Sequence, residues 1–123
     1  MKTVLLTDDN EDIIELVKLI LSKSGYNLKV ATGGKDALHI CKESPPDLIL
    51  LDLRMPDIDG FIVTRALRGT GFTKPIIILT GSESEADRKK AFDAGCDSYI
   101  VKTMEMRELE HTIDRFLQTG GGL

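Results

Sequence analysis

Cysteine is scarce in this chain: Cys41 and Cys96 are the two present, far apart and outside any CxxC pair, which leaves no basis for a metal or redox site. They read as small buried hydrophobes in a reducing cytosol. Long hydrophobic runs are also missing. No apolar stretch approaches a membrane-spanning length, and the start MKTVLLTDDN has too short an apolar run for the core of a secretory signal. Positive charge is not in excess, with 16 basic against 20 acidic residues and a net charge of -4. That balance argues against a general nucleic-acid or anionic-membrane surface. Internal repeats and low-complexity segments are absent apart from the glycines at 120–122.

What is present suits one domain. A chain of 123 residues, 41% of them hydrophobic, buries about two-thirds of the surface its unfolded form exposes. The chain is organised around Leu48 to Gly60, LILLDLRMPDIDG. An unbroken apolar run of this length, closed by Pro and Gly, reads as a strand buried on both faces, since a strand at a solvated surface would alternate. Asp52 stands where that strand, expected over Asp47 to Leu53, opens into a loop. A carboxylate there is a ligand or a nucleophile, or it caps a turn.

The other segments repeat a strand-then-helix pattern. Thr3 to Thr7 is a β-rich run ending at Asp8-Asp9, followed by a helical stripe of Ile13, Ile14, Val17, Ile20 and Leu21 that Gly25 closes. Asn27 to Ala31 gives a second strand, with Leu28 and Val30 facing one way. A helix with Ala37, Leu38 and Cys41 on its inner side then stops before Ser44-Pro45-Pro46, leaving His39 in solvent. After Gly60, the residues Ile62, Val63, Ala66 and Leu67 recur at helical spacing. Pro75 to Thr80 is a second continuous β-branched run, and Ser82 with Glu85 has the spacing of a capping box. The helix that follows is thinly apolar, with Ala91 and Phe92 its main core candidates. Ser98 to Val101 delivers Lys102 to a fifth strand end, and Met106, Leu109, Ile113, Phe116 and Leu117 form the last stripe. Alternating strands and helices imply an α/β domain, a parallel sheet covered on both faces.

If the first, third, fourth and fifth strands lie side by side, Asp8, Asp9, Asp52, Thr80 and Lys102 converge on one edge. Three crowded carboxylates need cations, and their hard oxygens suit a divalent ion such as Mg²⁺. A metal and a Lys to neutralise phosphoryl oxygens, a hydroxyl to bond one of them, and a carboxylate to attack in line are the parts of phosphoryl transfer to Asp52.

From Val4 to Leu117 the chain resembles response-regulator receiver domains. The matching segments are VLLTDDN, LILLDLRMPDIDG, IIILTG and DSYIVK, in that order. The resemblance implies a three-layer, doubly wound, flavodoxin-like (βα)5 fold with strand order 2-1-3-4-5. It implies Asp52 as phosphoacceptor, fed by a histidine kinase or a phosphotransfer protein. Asp8, Asp9, Asp52 and the backbone carbonyl of Arg54 match the Mg²⁺ ligands, Thr80 and Lys102 the groups that contact the phosphoryl, and Thr80 and Tyr99 the switch pair. A downstream protein is expected on the face of the fourth helix, fifth strand and fifth helix. Neither nucleic acid nor membrane is expected as a direct partner. Such a self-phosphorylating acceptor is not a classical enzyme, and its expected location is the cytoplasm. Residues 2–118 are read as the receiver and 119–123 as a flexible glycine-rich tail, with output left to a partner or to another domain.

The main departure from the family pattern is Thr103, where Pro usually follows the Lys. It implies a trans bond with a shifted Lys102 or a retained cis bond, with Thr103 as an N-cap of the last helix the structural alternative. Gly81 stands where Ala is commoner. Arg54 and Ser82 occupy positions that tune phosphoryl lifetime in receivers, and the long Arg54 is expected to shield the acyl phosphate from water. Two other functions compete. Asp57-Ile58-Asp59-Gly60 matches the DxDG start of haloacid-dehalogenase-type phosphatases, although here it follows Met55-Pro56 in a loop, where turn-forming use is favoured. A receiver fold serving as a protein-interaction module without phosphorylation is the other. Gly33-Gly34-Lys35 lacks both the earlier Gly and the following Ser/Thr of a phosphate loop and is set aside.

Overall fold

The apolar runs become five parallel strands, and the segments between them become helices that cover the sheet on both faces. The structure is a computed structural model that describes residues 1–122, with side chains described for residues 1–118. The tail expected at 119–123 lies outside the fully described residues. In chain order the elements are β1 (Thr3–Thr7), α1 (Glu11–Ser24), β2 (Asn27–Ala31), α2 (Gly34–Glu43), β3 (Leu48–Leu51), α3 (Gly60–Gly69), β4 (Ile76–Thr80), α4 (Glu85–Ala94), β5 (Ser98–Val101) and α5 (Met106–Gly122). The sheet order is β2-β1-β3-β4-β5 and every neighbouring pair is parallel. This is the three-layer, doubly wound (βα)5 architecture, in the order 2-1-3-4-5.

The period-2 geometry of a strand explains why the apolar runs are continuous. Leu5, Ile49, Leu51, Ile76 and Ile78 point to one face, where they meet Ala37 and Cys41 of α2, Val63 and Leu67 of α3, and Ala91 of α4. Val4, Leu6, Leu48, Leu50, Ile77 and Leu79 point to the other, against Val17, Ile20 and Leu21 of α1 and Leu109, Ile113 and Leu117 of α5. The two faces hold two cores, so neither can be polar. Parallel register brings Leu51 level with Thr7 on one side and Ile78 on the other, and Thr80 level with Val101. The residues that follow, Asp8, Asp52 and Lys102, therefore leave the sheet at one edge.

Local chemistry fixes the helix ends. Asn10 caps α1 by accepting from the amides of Asp12 and Ile13, and Gly25 closes it in the left-handed region at φ 78°. Asp59 caps α3 by accepting from the Ile62 amide. The cap of α4 is Ser84, which accepts from the Asp87 amide, and not the expected Ser82, because the extended loop carries the chain two residues further before it turns.

Other expectations are corrected by packing. Strand β3 ends at Leu51, although Asp52 and Leu53 beyond it stay buried. Ile62 is 46% exposed: Phe61, Ile62 and Val63 are consecutive, and a helix cannot turn all three inward. Phe92 is 40% exposed beneath the Arg88 guanidinium, and α4 is anchored by Ala91 and Ala94 instead. Val30 is 37% exposed because β2 is an edge strand. Thr103 does not cap α5. It lies in a turn closed by the Met104 amide on the Val101 carbonyl, and Met104 and Glu105 still separate it from the helix.

Candidate functional site at the carboxyl edge of the sheet

Three side chains meet where β1, β3 and β5 end. The Lys102 ammonium stands 2.8 Å from Asp8 Oδ2 and 3.0 Å from Asp52 Oδ2. Asp8 and Asp52 are buried, as is most of the Lys102 side chain. Backbone bonds hold the carriers in place: the Asp52 amide donates to the Thr7 carbonyl, the Asp8 amide to Ala31 and the Lys102 amide to Thr80, at 3.1, 3.2 and 2.7 Å. Asp8 Oδ1 accepts from the Asn10 amide at 2.9 Å, and Asp52 Oδ1 accepts from the Arg54 amide at 3.3 Å. Among the described residues every peptide bond is trans. The expected displacement of Lys102 is thus not found: a trans bond before Thr103 leaves its ammonium on both acids.

Burial alone would depress the Lys102 ammonium. The close ionic contact with Asp8 and the hydrogen bond and charge of Asp52 together outweigh that penalty and raise its pKa above the ordinary 10.5. A folded-state value above the unfolded one stabilises the fold fully below the ordinary lysine value, and the contribution is lost as pH rises through the raised one.

Thr80 is fully buried, and its Oγ1 accepts from the Ser82 amide at 3.3 Å. Tyr99 is buried too; its hydroxyl donates to the Ser82 carbonyl at 3.0 Å, and the Arg88 guanidinium lies 5.7 Å from its ring centroid. Asp9 is exposed and stands apart from the Lys102 cluster. It lines an adjoining cleft of about 610 Å³ with Arg54, Asp59, Phe61, Asp87 and Lys90.

Among the described residues, no three His, Cys, Asp or Glu side chains gather closely enough to hold a metal by themselves. Mg²⁺ asks for less, since one or two carboxylates serve when water and phosphate oxygens complete the shell. Asp8 Oδ2 fits that demand: it is buried and accepts no aligned hydrogen bond, its contact with Lys102 being ionic only. A hard oxygen so placed, beside Asp52 and with Asp9 at the rim, is suited to a hard cation.

The turn after Asp52 is moored to α2 by a residue that sequence reading treated as turn-forming. Asp57 accepts from the amides of Gly34, Lys35 and Ile58 at 2.8, 2.9 and 2.8 Å. These bonds pull its pKa down to about 2. Two amides of the Gly-Gly-Lys run that suggested a phosphate loop, those of Gly34 and Lys35, thus hold an internal carboxylate. Glycine is required on both sides of this mooring. A Cβ on Gly34 would lie 2.4 Å from Ile58, and one on Gly60 would lie 2.5 Å from the Asp52 carbonyl oxygen. Because the folded pKa of Asp57 is depressed, its contribution is full above the ordinary value of 3.8 and is lost as pH falls through about 2. Asp57→Asn is therefore expected to melt below wild type near neutral pH, with the gap closing as the pH is lowered through that window. Thermal melts at several acidic pH values check this, and equal melting at neutral pH would contradict it.

Sequence reading missed Asp87, which accepts from the Ser82 hydroxyl at 2.7 Å and faces Arg54 Nη2 at 3.4 Å. Nothing in the sequence marks it, because the contact depends on the path of the loop at 81–84. Cys41 and Cys96 are free and buried, and burial pushes both thiols up to about 11, which makes them inert. No helix among the described residues is long and apolar enough to cross a membrane.

A doubly wound parallel sheet with two buried acids and a lysine at its carboxyl edge defines a class of phosphoryl-accepting signalling domains. Residues 4–114 match the response regulator receiver domain, and the chain belongs to that family, the receivers of two-component signalling, which are phosphorylated on aspartate and as a family are generally not classical enzymes. Response regulator MprA of Mycobacterium tuberculosis is 39% identical over 106 residues, which cover 86% of this chain and 46% of MprA. The chain thus spans about half the length of that relative. The receiver domain of Francisella response regulator 1452 superposes with a TM-score of 0.89 at 28% identity, covering 98% of this chain and 99% of that one. The receiver domain of sensor histidine kinase PA1611 from Pseudomonas aeruginosa, which holds a magnesium ion in its active site cleft, gives 0.84 at 30% identity, covering 94% and 97%.

Proposed function

We propose that residues 2–118 form a cytoplasmic phosphoacceptor that takes a phosphoryl group onto Asp52 from a phosphohistidine, carried by a histidine kinase or a phosphotransfer protein. The observation that carries this reading is the Lys102 ammonium set 2.8 Å from Asp8 and 3.0 Å from Asp52 at buried strand ends. In the reaction, an Asp52 oxygen bonds to phosphorus as the bond from phosphorus to the histidine nitrogen breaks. The electron pair stays on the imidazole, which takes up a proton. Lys102, already on Asp52, neutralises charge on the incoming phosphoryl oxygens with little reorganisation. Thr80 Oγ1 accepts from the Ser82 amide, which leaves its own proton to donate to a phosphoryl oxygen. Asp8, Asp52, Asp9 and the Arg54 carbonyl are the groups that would hold Mg²⁺, which when bound supplies further positive charge against those oxygens.

The output reading follows from one hydrogen bond. Tyr99 donates to the Ser82 carbonyl, so a shift of the loop after Thr80 reaches Tyr99 directly and alters the face of α4, β5 and α5. A downstream protein is the proposed partner of that face, with neither nucleic acid nor membrane in direct contact. Thr80 and Tyr99 act as the switch pair.

Incubating the protein with acetyl phosphate and Mg²⁺, then measuring intact mass and mapping the labelled peptide, tests the reading. One phosphoryl group on Asp52 is expected. A label on Asp57 would favour the haloacid-dehalogenase-type phosphatase, and persistent failure to label, with histidine kinases as well, would favour the unphosphorylated interaction module.

A further inference from the structure

Outside the Lys102 cluster, one carboxylate ties together the two loops that flank Asp52. Asp87, in the first turn of α4, faces Arg54 Nη2 at 3.4 Å, accepts from the Ser82 hydroxyl at 2.7 Å, and donates its own amide to Ser84 Oγ at 3.2 Å. Arg54 belongs to the β3–α3 loop, and Ser82 and Ser84 to the β4–α4 loop. The Arg54 amide already touches Asp52 Oδ1 at 3.3 Å, so its guanidinium hangs from a residue in contact with the acceptor acid.

That guanidinium therefore has two anions within reach of one side chain: Asp87, and any phosphoryl group carried by Asp52. Its hold on Asp87 is weak, because the Arg54 side chain is 77% exposed and such pairs are largely offset by solvation and side-chain entropy. A phosphoryl group brings close to two negative charges and three acceptor oxygens, which a planar guanidinium can engage in pairs. The two anions compete for one cation.

We infer that Asp87 is a positioning residue that holds Arg54 away from the acyl phosphate and thereby sets the lifetime of the phosphorylated state. The inference rests on the proposed phosphorylation of Asp52. The step it governs is hydrolysis: a water oxygen bonds to phosphorus, the bond from phosphorus to the Asp52 oxygen breaks, and Asp52 regains its carboxylate. Inorganic phosphate leaves, and the protons of the water pass to it and to solvent. Arg54 lying on the phosphoryl oxygens covers their open side against water. Arg54 drawn to Asp87 leaves that side accessible.

The test uses protein labelled with acetyl phosphate and Mg²⁺ and freed of the donor, with decay followed by intact mass in wild type, Asp87→Asn, Arg54→Ala and the double variant. Asn at 87 keeps an oxygen for the Ser82 hydroxyl and removes the charge that attracts Arg54. Asp87→Asn should lengthen the half-life about two- to fivefold, the scale of one exposed ion pair, and Arg54→Ala should shorten it. In the Arg54→Ala background the substitution at 87 should change nothing, and raising the salt should narrow the wild-type difference. In the unlabelled protein, the Arg54 side-chain NMR resonance should move on Asp87→Asn. An unchanged or faster decay in Asp87→Asn, an equal lengthening without Arg54, or an unmoved resonance would overturn the inference. Failure to label wild type at Asp52 would instead overturn the proposed function beneath it, a result distinct from labelled protein whose decay ignores Asp87.

Discussion

Asp52→Asn is expected to take up no phosphoryl group under conditions that label wild type, and to melt no lower than wild type. The first half follows from the nucleophile: an amide oxygen in the same place carries no charge and forms no stable acyl phosphate. The second half follows from the charge arrangement. One ammonium serves two buried carboxylates, at 2.8 and 3.0 Å, so the pocket holds an excess negative charge at the cost of desolvation. Asn at 52 removes that excess and leaves Lys102 paired with Asp8 alone. Its remaining oxygen can still accept from the Arg54 amide. Intact mass and a thermal melt on the same sample check both halves. A label on the variant would place the acceptor elsewhere, and a lower melting temperature would mean that Asp52 stabilises the fold more than its repulsion from Asp8 costs.

Lys102→Met, nearly isosteric along the side chain, is expected to do the opposite to stability while also losing function. It removes the one cation that both acids share, leaving two desolvated carboxylates with no counter-charge. Breaking a fully buried pair typically costs about 3–5 kcal/mol. Here the Lys102 side chain is 19% exposed and water can relieve part of the loss, so about 2 kcal/mol is expected, a fall of about 5–10 °C in melting temperature. The rate of labelling by acetyl phosphate should fall by about 100-fold or more, the effect of deleting one preorganised charge from a transition state. The double variant Asp52→Asn, Lys102→Met should recover part of the lost stability and none of the labelling. Equal melting of Lys102→Met and wild type would show that the ion cluster contributes nothing to the fold.

The contrast between these variants reflects how legible the site was. Strand ends could be read in sequence because a strand buried on both faces is an unbroken apolar run, and the first polar residue after it marks the sheet edge. Asp8, Asp52 and Lys102 follow directly on β1, β3 and β5, Thr80 is the last residue of β4, and parallel register does the rest. Helix faces were less legible. Phe92 and Ile62 are apolar by composition, yet which side of a helix packs depends on neighbours elsewhere in the chain, and Ala91 and Val63 took the inner places. Contacts between loops were least legible of all. Asp57 reads as a turn residue and Asp87 is not marked at all, because no local pattern records that one reaches the start of α2 and the other reaches Arg54. Asp8 and Asp9 follow the same strand in the sequence, yet Asp8 is buried and Asp9 is exposed at the adjoining cleft.

The mooring of the turn after Asp52 makes the site lopsided. On one side of the acid, the loop is pinned by Asp57 to three amides, closed by the Gly60 amide on the Leu53 carbonyl, and packed so tightly that a methyl group has no room at Gly34 or Gly60. On the other side, the loop after Thr80 is held by side-chain bonds among Ser82, Ser84 and Asp87, with open space beside Gly81. The acid thus sits between a tightly packed loop and a more open one. On the proposed phosphorylation of Asp52, a dianion added there would meet less packing on the side of the loop after Thr80, which runs on to α4 and bonds Tyr99 through the Ser82 carbonyl.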